Sequence, residues 1–277
     1  MNAKKFRLSD AAVTAAALAL GAVLVFPIVY CFLSSFKDLG EFMAYPPTLL
    51  PESFGNTGNF SKALTQTPIL RFMLNSLIVA LIGTALRILF AAMAAFAFAY
   101  YDFPGKKILF AVVLAIVMLP DDTLVVSNYL TVTKLRLLDN YLGMCITSLA
   151  GASQMFLLRQ HFKTIPKEMY EAAQMDGCGS LNYIFRVIVP VSRPILMTLA
   201  VQSFIGFWNS YLWPLLVTNR EEMRTVQVGV TMLTTLDATS YSLVMAAVTI
   251  VTAPSILLFL ILRRNIVEGM SSGILVG

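Results

Sequence analysis

The sequence predicts an all-α, polytopic membrane bundle of about six transmembrane helices. Two observations carry that prediction. Only 13% of the 277 residues are charged, against 58% hydrophobic, where a soluble domain holds roughly 25% charged residues. The charges are also clustered, and they leave residues 11–33, 195–217 and 243–262 with none. A bilayer core about 30 Å thick needs roughly 20 apolar helical residues to cross it. Those three stretches are long enough, and 141–158 is charge-free but slightly short.

The first span, 11–33, follows Lys4, Lys5 and Arg7. Its apolar run is longer than a secretory signal core and no A-x-A-like cleavage site follows, so it reads as a retained helix, kinked at Pro27. An outer loop, 34–72, contains Pro46, Pro47, Pro51 and a Gly/Asn-rich turn over 55–59. The second span lies within 73–101 and is interrupted only by Arg87; the third begins at Ile108 and meets Pro120-Asp121-Asp122 twelve residues later. The fourth, fifth and sixth are 141–158, 195–217 and 243–262. Cys31, Cys145 and Cys178 are scattered without metal-ligand or CxxC spacing, and read as small filler residues.

Orientation follows from the basic residues. With the N-terminus inside, 12 Lys and Arg fall on the inner face, in the runs at 4–7, 106–107, 159–167, 186–193 and 263–264, and 7 on the outer face. Both termini are therefore predicted to be cytoplasmic. The net charge of +5 sits in short runs beside apolar spans rather than in one stripe, which fits membrane topology and argues against a nucleic-acid partner.

Residues 159–194 form an inner loop too long for a simple connection. Pro166 suits a first helical turn, Glu168 to Ala173 are mostly good helix formers, and Gly177 is a natural stop. Ser180 is placed to cap a second helix that Pro190 ends, and Pro194 opens the fifth span. The expected product is a short helix, a sharp turn and a second short helix, with Ala172 and Ala173 leaving a smooth surface for close approach.

Arg87 is expensive near mid-bilayer, by at least about 2.5–3.5 kcal/mol. It lies roughly 21 Å along the helix from Tyr101, and Asp121 roughly 20 Å from Ile108. An Arg87–Asp121 structural ion pair, with Asp122 as the substitute, is favoured over a transport role. Asn128, Tyr129, Gln202, Asn209 and Ser210 are candidates to line a polar pathway, although such groups equally satisfy one another inside a bundle. His161, the single histidine, reads as a solvated surface residue.

The inner loop also carries a resemblance. Glu171-Ala172-Ala173, then Asp176-Gly177, then Val187, Val189 and Pro190 closely resemble the EAA loop of bacterial ABC importer permeases, with Val where Ile and Leu are usual. Phe36-Lys37, Glu41-Phe42, Pro46-Pro47, Asn59-Phe60, Asn75-Ser76, Phe103-Pro104-Gly105 and Met118-Leu119-Pro120 are similar to the maltose-type second permease subunit. So are Trp208-Asn209, Trp213-Pro214 and the tail from Arg263 to Gly269. Residues 118–216 also resemble glycerol-3-phosphate importer permeases. The resemblance implies a type I ABC importer permease fold in the bacterial cytoplasmic membrane. In that arrangement 1–72 supply an N-terminal helix and an extracytoplasmic loop, and 73–277 a five-helix core.

It also implies partners: a second permease, two ATPase subunits holding ATP and Mg²⁺, and an extracytoplasmic solute-binding protein. Glu171 would pair with a basic residue of the ATPase, Ala172 and Ala173 would admit it closely, and Gly177 would set the turn. The cargo implied is a sugar or oligosaccharide, with a polyol phosphate as the alternative. No G-x-x-x-x-G-K-[ST] loop occurs, so ATP hydrolysis would fall to another chain. An independent secondary transporter is the more distant reading, lacking the internal repeats and deep acidic residues such proteins usually show. An intramembrane hydrolase would need clustered catalytic groups that one histidine cannot supply.

Overall fold

A computed structural model describes residues 8–65, 67–118, 120–236 and 241–274, with side chains outside 8–11, 121–122, 233–236 and 262–274. Among the described residues the chain is helical, with no strand. Two compact units emerge: one from residues up to 69 with 230–254, the other from 70–229 with 255 onward.

In the first unit the Leu8–Ser34 helix runs through Pro27 without interruption. In its apolar stretch, Ala12–Ser34, residues 12–20 and 22–29 are all exposed. Leu18 is 70% and Leu24 68% exposed, so this helix is built to face lipid or another subunit. The outer loop is ordered by its own side chains. Phe36 packs on Phe32, Phe54 and Phe60. Asn59 donates to the Ser35 and Lys37 carbonyls at 2.9 and 2.8 Å. Lys37 is fully buried, its ammonium bonded to the Thr48 carbonyl and hydroxyl and lying 5.5 Å from the Tyr30 ring centre. This charge is thus a structural strut of the loop.

In the second unit the Ile69–Tyr100 helix is the long central span. Small residues, Ala91, Ala92, Ala95 and Ala99, line its buried face and let neighbouring helices approach. The run after Ile108 differs from a simple third span: a helix over Lys106–Val117 gives way to a 3₁₀ turn at Asp121–Leu124 and a helix over Val125–Lys134. Pro120, which cannot donate an N–H, sits at that break. The fourth span is bent by 57° between Tyr141–Ser148 and Ala152–Phe162, and Gly151 caps the second part. The fifth ends as a helix at Trp208 and resumes as Leu212–Val217. Tyr241–Ile274 follows as the last long helix. Three helices can cross a membrane unbroken, and five segments do so if each bent pair is one span.

Polar side chains tie distant segments of this unit together. Asn75, fully buried, donates to the Glu222 and Arg224 carbonyls at 2.8 and 2.9 Å and accepts from the Tyr141 hydroxyl at 2.9 Å. Ser76 accepts the Val226 N–H at 2.8 Å. Asp139 accepts the N–H groups of Asn219 and Arg220 at 2.6 and 2.9 Å. Burial pushes the Asp139 carboxyl up, but those two N–H groups, the Asn219 side chain and the Arg220 charge together hold it below the usual carboxylate range.

Candidate functional site

The 159–194 loop contains a helix over Lys167–Met175, with Pro166 as its N-cap, and Gly177 closes the turn after it. Gly177 has φ +76°, a left-handed conformation that an L side chain rarely adopts. Nothing lies within 4 Å of where its Cβ would be, so backbone conformation, not crowding, calls for glycine. The helix has two distinct sides. Glu171 and Ala172 are exposed, and Met175 is 85% exposed. Tyr170 is buried and Ala173 packs against the core.

The buried side is an aromatic clamp. The Tyr170 ring lies 5.4 Å from Phe96, 5.2 Å from Tyr100 and 4.9 Å from Tyr183. Ser180 joins the same cluster: its hydroxyl is 2.6 Å from the Tyr101 hydroxyl and 2.8 Å from that of Tyr170. This corrects the expectation that Ser180 caps the second helix. Gly179 occupies the N-cap, and no side chain caps there. The exposed face of Lys167–Met175 is thereby fixed to the end of the central span.

Pro190 also acts differently from expectation. The helix begun at Ser180 passes through Pro190 to Val191, with a π turn over Ile184–Ile188 immediately before it. A proline ring clashes with the carbonyl four residues back and supplies no N–H; a widened turn at that place relieves both problems. The break comes at buried Ser192, where Ser180–Val191 turns by 88° into Arg193–Trp208. The second loop helix therefore runs crosswise to the fifth span.

A second polar feature surrounds Arg87. Its Nε donates to the Ser148 carbonyl at 2.6 Å, and its guanidinium lies 4.4 Å from the Phe207 ring centre. Arg87 lines a cavity of about 330 Å³ together with Thr147, Ser148, Ser153 and Gln154. Gly151 permits this closeness, because a Cβ there would lie 2.7 Å from the Gln154 amide oxygen and 2.9 Å from Arg87 Cγ. The side chains of Asp121 and Asp122 fall outside the described residues, so the expected Arg87–Asp121 pair is carried forward only as an expectation.

The five pathway candidates do not gather at that cavity. Asn128 and Tyr129 are half-buried on Val125–Lys134. Gln202 and Asn209 are exposed, Ser210 half-buried, and Asn209 accepts from the Gln227 amide at 3.3 Å. Gln202, Gly206 and Asn209 share one helical face by their spacing, and all three are exposed, giving the fifth span a polar, small-residue stripe. His161 is half-buried, its Nε2 enclosed without a partner, rather than the solvated residue expected. Sequence reasoning missed Tyr170, Ser180 and the Gln154 cavity. The tyrosines at 100, 101 and 170 were the available signal for the clamp, but nothing in their spacing said that they meet.

Comparison with known proteins agrees with this geometry. The family described as the binding-protein-dependent transport system inner membrane component matches residues 87–272. The chain is 31% identical over 261 residues to the sn-glycerol-3-phosphate transport system permease protein UgpE of Yersinia pestis bv. Antiqua (strain Antiqua), covering 91% of this chain and 93% of that one. It is 32% identical over 256 residues to the UgpE of Escherichia coli O1:K1 / APEC, covering 90% and 91%. The fold matches, with a TM-score of 0.79 at 22% identity over 95% of this chain and 99% of the other, a chain from the crystal structure of a bacterial ABC transporter involved in the import of the acidic polysaccharide alginate. An anchored surface helix on a multi-pass bundle, and a family match spanning most of the chain, lead to one assignment: the chain belongs to the binding-protein-dependent transport system inner membrane component family, as a type I permease subunit of an ABC importer.

Proposed function

We propose that this chain is one of two permease subunits that move a carbohydrate inward, driven by ATP hydrolysis on a separate pair of ATPase subunits. An extracytoplasmic solute-binding protein delivers the cargo. Both termini and the 159–194 loop face the cytoplasm, and neither ATP nor Mg²⁺ is held by this chain. Family membership removes the independent secondary transporter.

The observation that carries the coupling role is the two-sided helix over Lys167–Met175. Glu171 and Ala172 are presented outward while Tyr170 is locked inward. Such a helix receives a push from an ATPase and passes it to the membrane bundle. Glu171 pairs with a basic ATPase residue, Ala172 and Ala173 give the clearance, Asp176-Gly177 set the turn after the helix, and Pro190 lies two residues before the bend at Ser192. By linkage, the energy delivered equals the difference in how the ATPase binds the two permease conformations. The exposed stripe of Gln202, Gly206 and Asn209, with Ser210 beyond it, is the share of the pathway this subunit offers; Asn128 and Tyr129 are the further candidates.

A second reading of the cargo, a glycerol phosphate or related polyol phosphate, is supported by the names of the relatives and by the Arg87 cavity, whose cation and amide suit an anionic group. ATP-dependent uptake by the reconstituted complex tests both, with labelled oligosaccharides and glycerol-3-phosphate offered through the cognate binding protein. Wild type is expected to accumulate an oligosaccharide; Glu171→Ala and Gly177→Asp are expected to assemble but lose uptake. Uptake confined to glycerol-3-phosphate and lost in Arg87→Gln selects the second reading. Unaltered coupling in both loop variants overturns the coupling assignment.

A further inference from the structure

A second cavity, of about 290 Å³, opens where three membrane helices end: Ile69–Tyr100 finishes, Lys106–Val117 starts and Ala152–Phe162 finishes there. Lys106, Lys163 and Lys167 line it, with Asp102 as its one acid and Phe162 and Ile165 among its apolar members. Asp102 is bound to Lys106 at 3.1 Å, and Lys106 also donates to the Tyr101 carbonyl at 2.6 Å. Neither Lys163 nor Lys167 makes an ion pair among the described residues. Behind them Arg159 is held in place, its Nε bonded to the Phe98 carbonyl at 3.2 Å and its guanidinium 4.0 Å from the Phe110 ring centre. Three lysines thus share the cavity with a single carboxylate, and Arg159 adds a fourth positive charge that acts on Lys163.

That excess is unfavourable in two ways. Arg159, with burial and then Lys106 and Lys167 behind it, holds the Lys163 ammonium below the usual lysine range. Lys167 opens the Lys167–Met175 helix, the end where the backbone dipole is positive and a cation is least welcome. An anion in the cavity relieves both. The surface running away from it along Lys106–Val117 is apolar and open, with Ile108 74% and Val112 50% exposed, which gives an acyl chain a track and a free phosphate nothing. Basic pockets between membrane helices at this depth recognise anionic headgroups.

We propose that this cavity seats the phosphate headgroup of an anionic phospholipid of the cytoplasmic leaflet, joining the end of the central span to the start of the coupling helix through Lys106, Lys163 and Lys167. The inference rests on the inward orientation proposed above. The lipid acts as a positioning ligand: it cancels the repulsion that otherwise splays Lys167 and the lead-in to the coupling helix away from the bundle.

The test compares wild-type complex with a Lys106→Gln/Lys163→Gln complex in nanodiscs of phosphatidylcholine alone or with added phosphatidylglycerol. Native mass spectrometry of the purified complexes reads the phosphatidylglycerol retained. It is expected to fall about five-fold for each lysine removed, while in phosphatidylcholine alone the variant, freed of the repulsion, takes up cargo faster than wild type, and phosphatidylglycerol stimulates only wild type. Equal retention and equal stimulation in the variant overturn the proposal. So does stimulation of wild type in phosphatidylcholine by inorganic phosphate to the level phosphatidylglycerol gives, since the ligand is then not a lipid. The retention measurement needs no transport, so loss of the lipid in the variant supports the site even if the importer reading fails on uptake.

Discussion

Asn75 ties the start of the central span to the 222–224 segment and to Tyr141. Its amide spends both donors on the Glu222 and Arg224 carbonyls and its oxygen accepts from Tyr141, so its full hydrogen-bonding capacity is used in a buried place. Removing it strands two carbonyls and a hydroxyl, each costing about 1–3 kcal/mol if left without a partner. Asn75→Ala is therefore expected to lower the thermal midpoint of the purified subunit or complex clearly, while Lys62→Ala, exposed on the helix over Gly58–Thr65, leaves it unchanged. A midpoint unchanged by Asn75→Ala would show that water or a neighbouring group replaces the amide. The Asn75-Ser76 pair was visible in the sequence as part of a resemblance, but its purpose was not. The partners lie 66 positions away at Tyr141 and 147 to 150 away at Glu222, Arg224 and Val226, and a hydrogen bond of that separation leaves no periodic trace.

Among the elements, the coupling helix shows where sequence legibility stops. Its position, its outward Glu171-Ala172 and its terminating Gly177 follow from local rules: helix formers, then a glycine that accepts a positive φ. Its attachment does not, because Phe96, Tyr100 and Tyr183 come from two other segments. The bends were hidden for the same reason. A charge-free run such as 141–158 reads as one span, yet Gly151 admits Arg87 and Gln154 against the backbone and the helix axis turns there. If the clamp transmits force, the ring of Tyr170 should matter more than its hydroxyl. Deleting a buried aromatic costs about 3–5 kcal/mol of packing, whereas Tyr170→Phe forfeits only the contact with Ser180. The expected result is an uptake-to-ATPase ratio that collapses in Tyr170→Ala and is largely retained in Tyr170→Phe, with both complexes assembled. Equal ratios in the two variants would remove the clamp from the coupling route.

For the whole molecule, orientation ties the readings together, since a coupling helix on the wrong side of the membrane meets no ATPase. Counting basic residues puts the 159–194 loop inside, and family membership gives the inner membrane without fixing the direction. The chain carries its own probes for this. Cys178 sits in the turn after the coupling helix and is half-buried, Cys145 is buried in the bundle, and Cys31 lies near the far end of the first span. With Cys31 replaced by Ser, a membrane-impermeant maleimide is expected to label Cys178 in inside-out vesicles and not in right-side-out ones. Full ATPase occupancy should slow that labelling, because the docked subunit covers Glu171, Ala172 and the turn beside them. Labelling from the outside would invert the topology and overturn the coupling role and the lipid site together. Labelling from the inside that ignores the ATPase would leave the orientation standing and move the docking surface elsewhere on the loop.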